Sequence, residues 1–214
     1  MNIIFDIDGT LWDTTSWVAK AWQKAADEKV PGSGLITGEI LKGQFGKPMD
    51  VIARNLFPHV TDPDELDSIM DICCIYESDI LESLTEENVD SIVFDGVRDT
   101  LKELSEKHSL YIVSNCQIGY IELFMRKTGT TDLFRDHLCF GQTLTDKGTT
   151  ILTLMERNGM RKEDTVYVGD TLGDLESTRK AGLPFIFAAY GFGESIDPDY
   201  TVNEFRELIS LPIL

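Results

Sequence analysis

The sequence predicts an α/β protein: a Rossmann-like parallel sheet core with a helical cap domain inserted behind its first strand. Three observations predict it. Short β-branched and aromatic runs alternate with helical segments from about residue 94 onward, the pattern of a parallel sheet with right-handed crossovers and helices on both faces. Between about residue 15 and residue 85 the periodicity stays helical with no convincing strand, far more chain than one crossover helix needs. Polar residues also recur where strands end, the edge at which an open parallel sheet binds its ligands. The expected division is a core of residues 1–14 and 86–214 around a helical cap of residues 15–85.

Taken in order, Ile3-Ile4-Phe5 reads as a fully buried strand that stops at Asp6 and Asp8. Asp13 or Thr14 caps a helix whose Trp17, Val18, Ala21, Trp22 and Ala25 form an apolar face, and Pro31-Gly32-Ser33-Gly34 ends it. A short helical segment around Ile36 to Leu41, a second from Pro48 to Leu56 and a third starting at Asp62-Pro63 fill the insert. The third carries Leu66, Ile69, Met70, Cys73, Ile80 and Leu84 between acidic residues. Phe94-Asp95-Gly96-Val97 turns into a helix bearing Leu101 and Leu104. Leu110 to Val113 is a strand closing on Ser114-Asn115, followed by a helix from Ile118 through Lys127. Leu138-Cys139-Phe140 is a short strand; a helix then starts at Lys147 and ends at Gly159. Thr165 to Val168 is a strand ending in Gly169-Asp170, Leu175 to Ala181 a helix stopped by Gly182, Phe185 to Ala188 a strand, and Phe205 to Ile209 a final helix.

Composition narrows the function. Of 214 residues, 42% are hydrophobic and 26% charged, as in a folded globular chain. Lys plus Arg number 19 against 37 Asp plus Glu, a formal charge of −18. That field repels nucleic-acid phosphates and anionic lipid, so neither is an expected partner, and an anionic substrate needs cations placed locally. No basic segment precedes an apolar run at the N-terminus and no stretch approaches the ~18 apolar residues of a membrane span, so a cytoplasmic protein is expected, as monomer or homodimer. Cys73, Cys74, Cys116 and Cys139 lack Cys-x-x-Cys spacing and read as packing thiols, Cys116 lying near the site described next.

Asp6 and Asp8 project to the same side of the chain, with Gly9 allowing the tight turn that brings backbone near a ligand. At about 4 Å and an effective dielectric near 20, two such carboxylates repel by roughly 4 kcal/mol, so the pair requires a cation or a shared proton. Ser114 and Asn115 end another strand, Asp170 a third, and Asp174 and Lys147 sit at helix starts. These edges converge on one side of a parallel sheet. Asp6, Asp8, Asp170 and Asp174 offer oxygen ligands suited to Mg²⁺, Lys147 a fixed positive charge, and Ser114 and Asn115 hydrogen bonds to an anion. Together they make a phosphoryl-transfer site.

Four elements in order, Asp6-Ile7-Asp8-Gly9-Thr10, Ser114, Lys147 and Gly169-Asp170-Thr171-Leu172-Gly173-Asp174, give the sequence its resemblance to the haloacid dehalogenase superfamily, in its Mg²⁺-dependent phosphatase branch. The resemblance implies that Asp6 is the nucleophile forming an aspartyl-phosphate and that Asp8 is the acid/base. It implies that Ser114 and Lys147 hold the transferring group, and that Asp6, the Asp8 carbonyl and Asp170, with Asp174 helping, bind Mg²⁺. Where relatives often carry Lys-Pro, this chain has Lys147-Gly148.

The insert resembles the cap of the phosphoglycolate phosphatase and β-phosphoglucomutase group, which closes over the site and selects the leaving group. Leu41 to Pro48 falls where that group places its specificity loop, so Lys47 (or Lys42) and Gly43, with Thr10 and Asn115 from the core, are the expected substrate contacts. Tyr190-Gly191-Phe192-Gly193 resembles the Gly-rich turn that ends the core in the same group. The expected substrate is a small phosphorylated metabolite, phosphoglycolate first. Thr14 to Val18 lacks the His that mutases place there, and dehalogenases lack the aspartate kept here as Asp8. Pyrophosphatase and 5′-nucleotidase activities share the core motifs. A phospho-Asp receiver lacks both the insert and the second acidic element, and a non-catalytic interaction protein leaves Asp6, Asp8, Lys147 and Asp170 without a purpose.

Overall fold

Ile3, Ile4 and Phe5 have no exposed surface, and they form β1 (Asn2–Phe5), a strand paired on both sides. Five more strands complete the sheet: β2 (Ser109–Ser114), β3 (Phe134–Cys139), β4 (Thr165–Gly169), β5 (Phe185–Ala188) and β6 (Tyr200–Val202). In the computed structural model, which describes residues 1–194 and 197–214, their order is β3-β2-β1-β4-β5-β6 and every pairing is parallel. The chain winds from β1 outward to β3, then crosses back to β4 on the other side. The carboxyl ends of β1 and β4 therefore flank the reversal point, where an open α/β sheet has its crevice.

Six helices stand between β1 and β2: α1 (Thr15–Lys29), α2 (Gly38–Lys42), α3 (Met49–Leu56), α4 (Pro63–Glu82), α5 (Glu86–Ile92) and α6 (Val97–Ser105). Asp62 caps α4 by accepting from the Asp64 and Glu65 amides, with Pro63 at the first helical position. Leu66, Ile69, Met70, Cys73 and Leu81 form the buried stripe of α4, which packs against Val18, Trp22, Ala25 and Ala26 of α1 in one apolar core; each large side chain so buried contributes about 1.5–3 kcal/mol. Glu77 occupies the stripe's register and is buried with it.

Strand alternation divides the sheet's side chains. Ile3, Phe5, Leu110, Ile112, Val166, Val168 and Ile186 face α6 and α7 (Tyr120–Thr128). Beyond β3 come α8 (Phe140–Thr143), α9 (Lys147–Arg157) and α10 (Leu172–Ala181). Ile4, Tyr111, Val113, Tyr167, Phe185 and Phe187 pack on the opposite face, in one cluster with Ile151, Leu154 and Met155 of α9 and Leu175 of α10. Among the described residues no helix is long and apolar enough to cross a membrane.

Five details correct the sequence reading. The strand expected at Leu138–Phe140 runs from Phe134 to Cys139; its polar first half sits at the sheet edge and leaves no apolar signal, while Phe140 opens a helical turn in which Gln142 accepts from the Cys139 amide. Helix α5 was not expected; its start is set by a reciprocal cap between Thr85 and Asn88. Strand β6, only three residues long, was also not expected, and the segment Phe205–Ser210 is a 3₁₀ helix rather than an α-helix. The helix expected from Ile118 begins at Tyr120.

Candidate active site

Two strand ends and two helix starts deliver the polar groups. Asp6 follows β1 directly, with its amide still donating to Val168 O at 2.9 Å; Asp170 follows β4; Asp174 lies in the first turn of α10; Lys147 is the first residue of α9. All four are buried, and ligand oxygens of Asp6, Asp170 and Asp174 lie within 4.8 Å of one another. Lys147 Nζ is 2.8 Å from Asp6 Oδ1 and 2.5 Å from Asp174 Oδ1. Burial pushes the Asp6 carboxyl up to about 6 even against the Lys147 charge, and burial with the Asp174 and Asp6 charges holds Asp170 well above the usual carboxylate range. Burial alone would lower Lys147, yet the Asp174 and Asp6 carboxylates outweigh it and keep the ammonium charged.

Three carboxylates confront one ammonium, and Asp6 Oδ1 is buried with no hydrogen bond of acceptable geometry despite the nearby Nζ. An all-oxygen donor set with excess negative charge and an unsatisfied carboxylate oxygen suits a hard divalent cation, Mg²⁺ above all. Asp174 is the most engaged of the three. Its Oδ1 accepts from Lys147 and from the Tyr167 hydroxyl at 3.3 Å, while Oδ2 accepts from the Thr171 amide at 3.0 Å and hydroxyl at 2.6 Å.

The turn after β5 seats Asp170. Phe192 N–H donates to Asp170 Oδ2 at 2.7 Å and the Thr10 hydroxyl to Oδ1 at 3.2 Å, with Tyr190 OH donating to the Thr10 carbonyl at 2.9 Å. Thr10 is thus fully buried with its hydroxyl spent on a carboxylate. Gly9, at φ +81°, and Gly191 pack so tightly on Asp170 that a Cβ at either would overlap its side chain. Gly148, beside Lys147, has a similar reason: a Cβ there would lie 3.0 Å from Ser177 O, so the glycine lets α9 and α10 touch.

The Asp8 carboxyl stands outside that cluster. Its Oδ1 accepts from Tyr120 OH at 2.6 Å, Trp12 Nε1 at 3.2 Å and Thr14 Oγ1 at 3.4 Å, and Oδ2 takes no hydrogen bond from the described residues. Burial pushes this carboxyl up to about 8, against the Tyr120 hydrogen bond and assisted by the charges of Asp6 and Glu77. A group that holds its proton at neutral pH with one oxygen free can donate that proton.

The helical segments roof the site. Asp6, Asp8, Ser114, Asn115 and Tyr120 share a pocket with Trp22, Phe45, Lys47, Met49, Ile52 and Glu77. Its free volume is ~30 Å³, room for a few waters at most. Asn115 Nδ2 donates to Gly46 O at 2.8 Å, tying the end of β2 to the loop after α2. Lys47 reaches the pocket, and its Nζ donates to Gly43 O at 2.6 Å and Gln44 Oε1 at 3.2 Å; Gly43 itself does not line the pocket. Lys42 is turned to Asp13 and Glu39 instead. Cys116 lines the pocket as a buried thiol, pushed far up by burial and its Cys139 neighbour.

Sequence reasoning missed Tyr120, Glu77 and the Phe192 amide. Tyr120 opens the helix after the Ser114 strand, a position the strand-end argument could have reached. Glu77 carried a signal too, a carboxylate in the register of an apolar stripe. The Phe192 amide carried none, since any residue supplies that donor.

Fold and site together define the class. Residues 3–188 match the family model for haloacid dehalogenase-like hydrolases, and the chain belongs to that family of enzymes. A phosphoglycolate phosphatase from Pseudomonas putida is 24% identical over 217 residues, covering 97% of this chain and 78% of that protein. Pyrophosphatase PpaX from Oceanobacillus iheyensis is 26% identical over 220 residues, with 98% and 95% covered. The solved structure of a predicted phosphoglycolate phosphatase from Haemophilus somnus superposes with a TM-score of 0.82 at 20% identity, over 97% of this chain and 96% of that one, a likeness of fold.

Proposed function

We propose that the protein is a cytoplasmic, Mg²⁺-dependent phosphatase that hydrolyses a small phosphorylated metabolite through an aspartyl-phosphate on Asp6. The observation that carries the reading is the pairing of two differently placed carboxyls, Asp6 against Lys147 and Asp8 under Tyr120, at the mouth of one small pocket. Asp6 attacks phosphorus while the leaving oxygen takes the Asp8 proton; Asp8, now a base, then removes a proton from the water that cleaves the acyl-phosphate. Lys147 neutralises charge on the transferring group, and Ser114 and Asn115 donate to its oxygens. Asp6, Asp170 and the main chain at Asp8, with Asp174 helping, would hold Mg²⁺, which would supply electrostatic stabilisation of the phosphoryl oxygens. Residues 15–85 act as a cap that must lift to admit substrate, which the small free volume of the pocket supports.

Phosphate release from phosphoglycolate, pyrophosphate, nucleoside 5′-monophosphates and sugar phosphates, with Mg²⁺ and again with EDTA, tests this reading. The expected result is hydrolysis of at least one compound that EDTA reduces more than 100-fold. Metal-independent release, or none at all, overturns it. The names of the relatives put phosphoglycolate and pyrophosphate first.

The Asp8 proton sets a pH limit. The carboxyl works as an acid only while protonated, so its contribution is complete below its pKa near 8 and is lost as pH rises past it. For an alkyl phosphate, kcat/KM should be near its maximum between about pH 6, above which Asp6 is ionised to attack, and about pH 8, and then fall toward tenfold per pH unit. A profile that stays level to pH 9.5 would remove Asp8 as the acid.

A further inference from the structure

Four carboxylates are buried among the described residues, and Glu77 is the one to which the proposed reaction gives no task. No ion pair joins it among the described residues. Among the described residues its hydrogen-bond partners are two neutral donors: Trp22 Nε1 to Oε2 at 2.8 Å, and Gln117 Nε2 to Oε1 at 3.0 Å. A carboxylate oxygen can accept twice, so each Glu77 oxygen keeps one direction unused. Glu77 lines the Asp6–Asp8 pocket. The site of α4 is one where an apolar residue would continue the stripe of Cys73 and Leu81 at no desolvation cost.

A substrate whose phosphoryl group sits at Asp6 and Ser114 sends its leaving group toward the roof, where Trp22, Phe45, Met49 and Ile52 are apolar and Glu77 is the acceptor. Lys47, a cation of that roof, has two of its three N–H donors committed to the neutral Gly43 O and Gln44 Oε1 and keeps one. Burial pushes the Glu77 carboxyl up to about 7, against the Gln117 and Trp22 hydrogen bonds, so above that pH a carboxylate on the leaving group would meet another carboxylate in a low-dielectric pocket, whereas an O–H or N–H would complete the Glu77 oxygens. We propose that Glu77 is a specificity-determining residue that accepts a hydrogen bond from a hydroxyl or amino group on the leaving group, so that the substrates are compact phosphorylated alcohols or amino alcohols rather than phosphorylated carboxylic acids. The proposal rests on the phosphatase reading above and narrows its substrate.

Four phosphate esters test it: glycerol 3-phosphate and O-phosphoethanolamine, which carry a donor, ethyl phosphate, which carries none, and phosphoglycolate. The wild-type kcat/KM should favour at least one donor-bearing ester by tenfold or more over both ethyl phosphate and phosphoglycolate. In Glu77→Met that ratio to ethyl phosphate should fall at least tenfold. Glu77→Gln separates the two donors, since the neutral amide keeps an acceptor for a hydroxyl but no charge for an ammonium. A wild-type enzyme that prefers phosphoglycolate or ethyl phosphate overturns the proposal, as does an unchanged ratio in Glu77→Met. The wild-type comparison decides the matter even where the variants do not fold. Calorimetric binding of the same esters to the wild-type protein separates the two readings. Donor-dependent binding without turnover overturns the phosphatase reading and supports Glu77 recognition; turnover without donor preference does the reverse.

Discussion

Asp6→Asn is expected to lower phosphate release at least 1,000-fold, about 4 kcal/mol of transition-state stabilisation, while the protein stays folded. The amide matches the carboxylate in size but cannot attack phosphorus. It also removes a negative charge from a crowd that includes Asp170 and Asp174, and Lys147 retains its 2.5 Å contact with Asp174. The metal-free variant should therefore melt no lower than the metal-free wild type. Wild-type-like hydrolysis by Asp6→Asn would end the nucleophile assignment. A collapsed melting temperature would show instead that Asp6 is needed for the fold.

Lys147→Met should cost both activity and stability. Methionine fills a similar volume in the buried slot at the start of α9, but it leaves Asp6, Asp170 and Asp174 facing one another without a cation. Removing one partner from a buried ion pair typically destabilises by about 3–5 kcal/mol, and removing a charge that stabilises the transferring group lowers turnover about 100-fold or more. The pH dependence has a definite sign. The Asp6 carboxyl, already up at about 6 in the folded wild type against 3.8 in an unfolded chain, binds its proton more tightly when folded. The stability this provides is complete below about pH 4 and is lost as pH rises through 6, about 3 kcal/mol for this group. In EDTA the wild type should thus melt lower at pH 8 than at pH 5, Lys147→Met should show a steeper loss, and Mg²⁺ should recover most of it in both. Melting curves at the two pH values, with and without Mg²⁺, check this. A variant as stable as wild type at pH 8 in EDTA would mean that the three carboxylates are neutralised some other way.

The core was legible because its signals are local. Ile3-Ile4-Phe5 running into Asp6 announces a buried strand with a charged end, and Val166-Tyr167-Val168 into Asp170 repeats it, so parallel topology alone brings the two carboxylates together. The helical insert was legible from periodicity, because α1 and α4 each bury one continuous stripe. Strand β6 was not: three residues at a sheet edge carry too little pattern to separate from a loop. The polar first half of β3 hid for the same reason, since an edge strand with one face toward solvent does not need an apolar run.

Which partners each site residue takes was settled by tertiary structure. Thr10 lies in the same motif as Asp6 and Asp8, yet its hydroxyl turns to Asp170, because β1 and β4 are neighbours. Lys42 and Lys47 are alike in sequence, but the turn through Gly43 and Gly46 sends one to Asp13 and Glu39 and the other to the pocket wall. Glu77 and Tyr120 come to the Asp6–Asp8 pocket only because α4 of the insert and α7 of the core pack together over the sheet edge. The sequence by itself determined the α/β class, the helical insert and the acidic residues at the strand ends, since those follow from periodicity and composition along short stretches. Only the tertiary structure decided which side chains face the pocket and what they bind there, because hydrogen-bond partners 40 to 160 positions apart depend on how elements pack and not on what stands beside each residue in the chain.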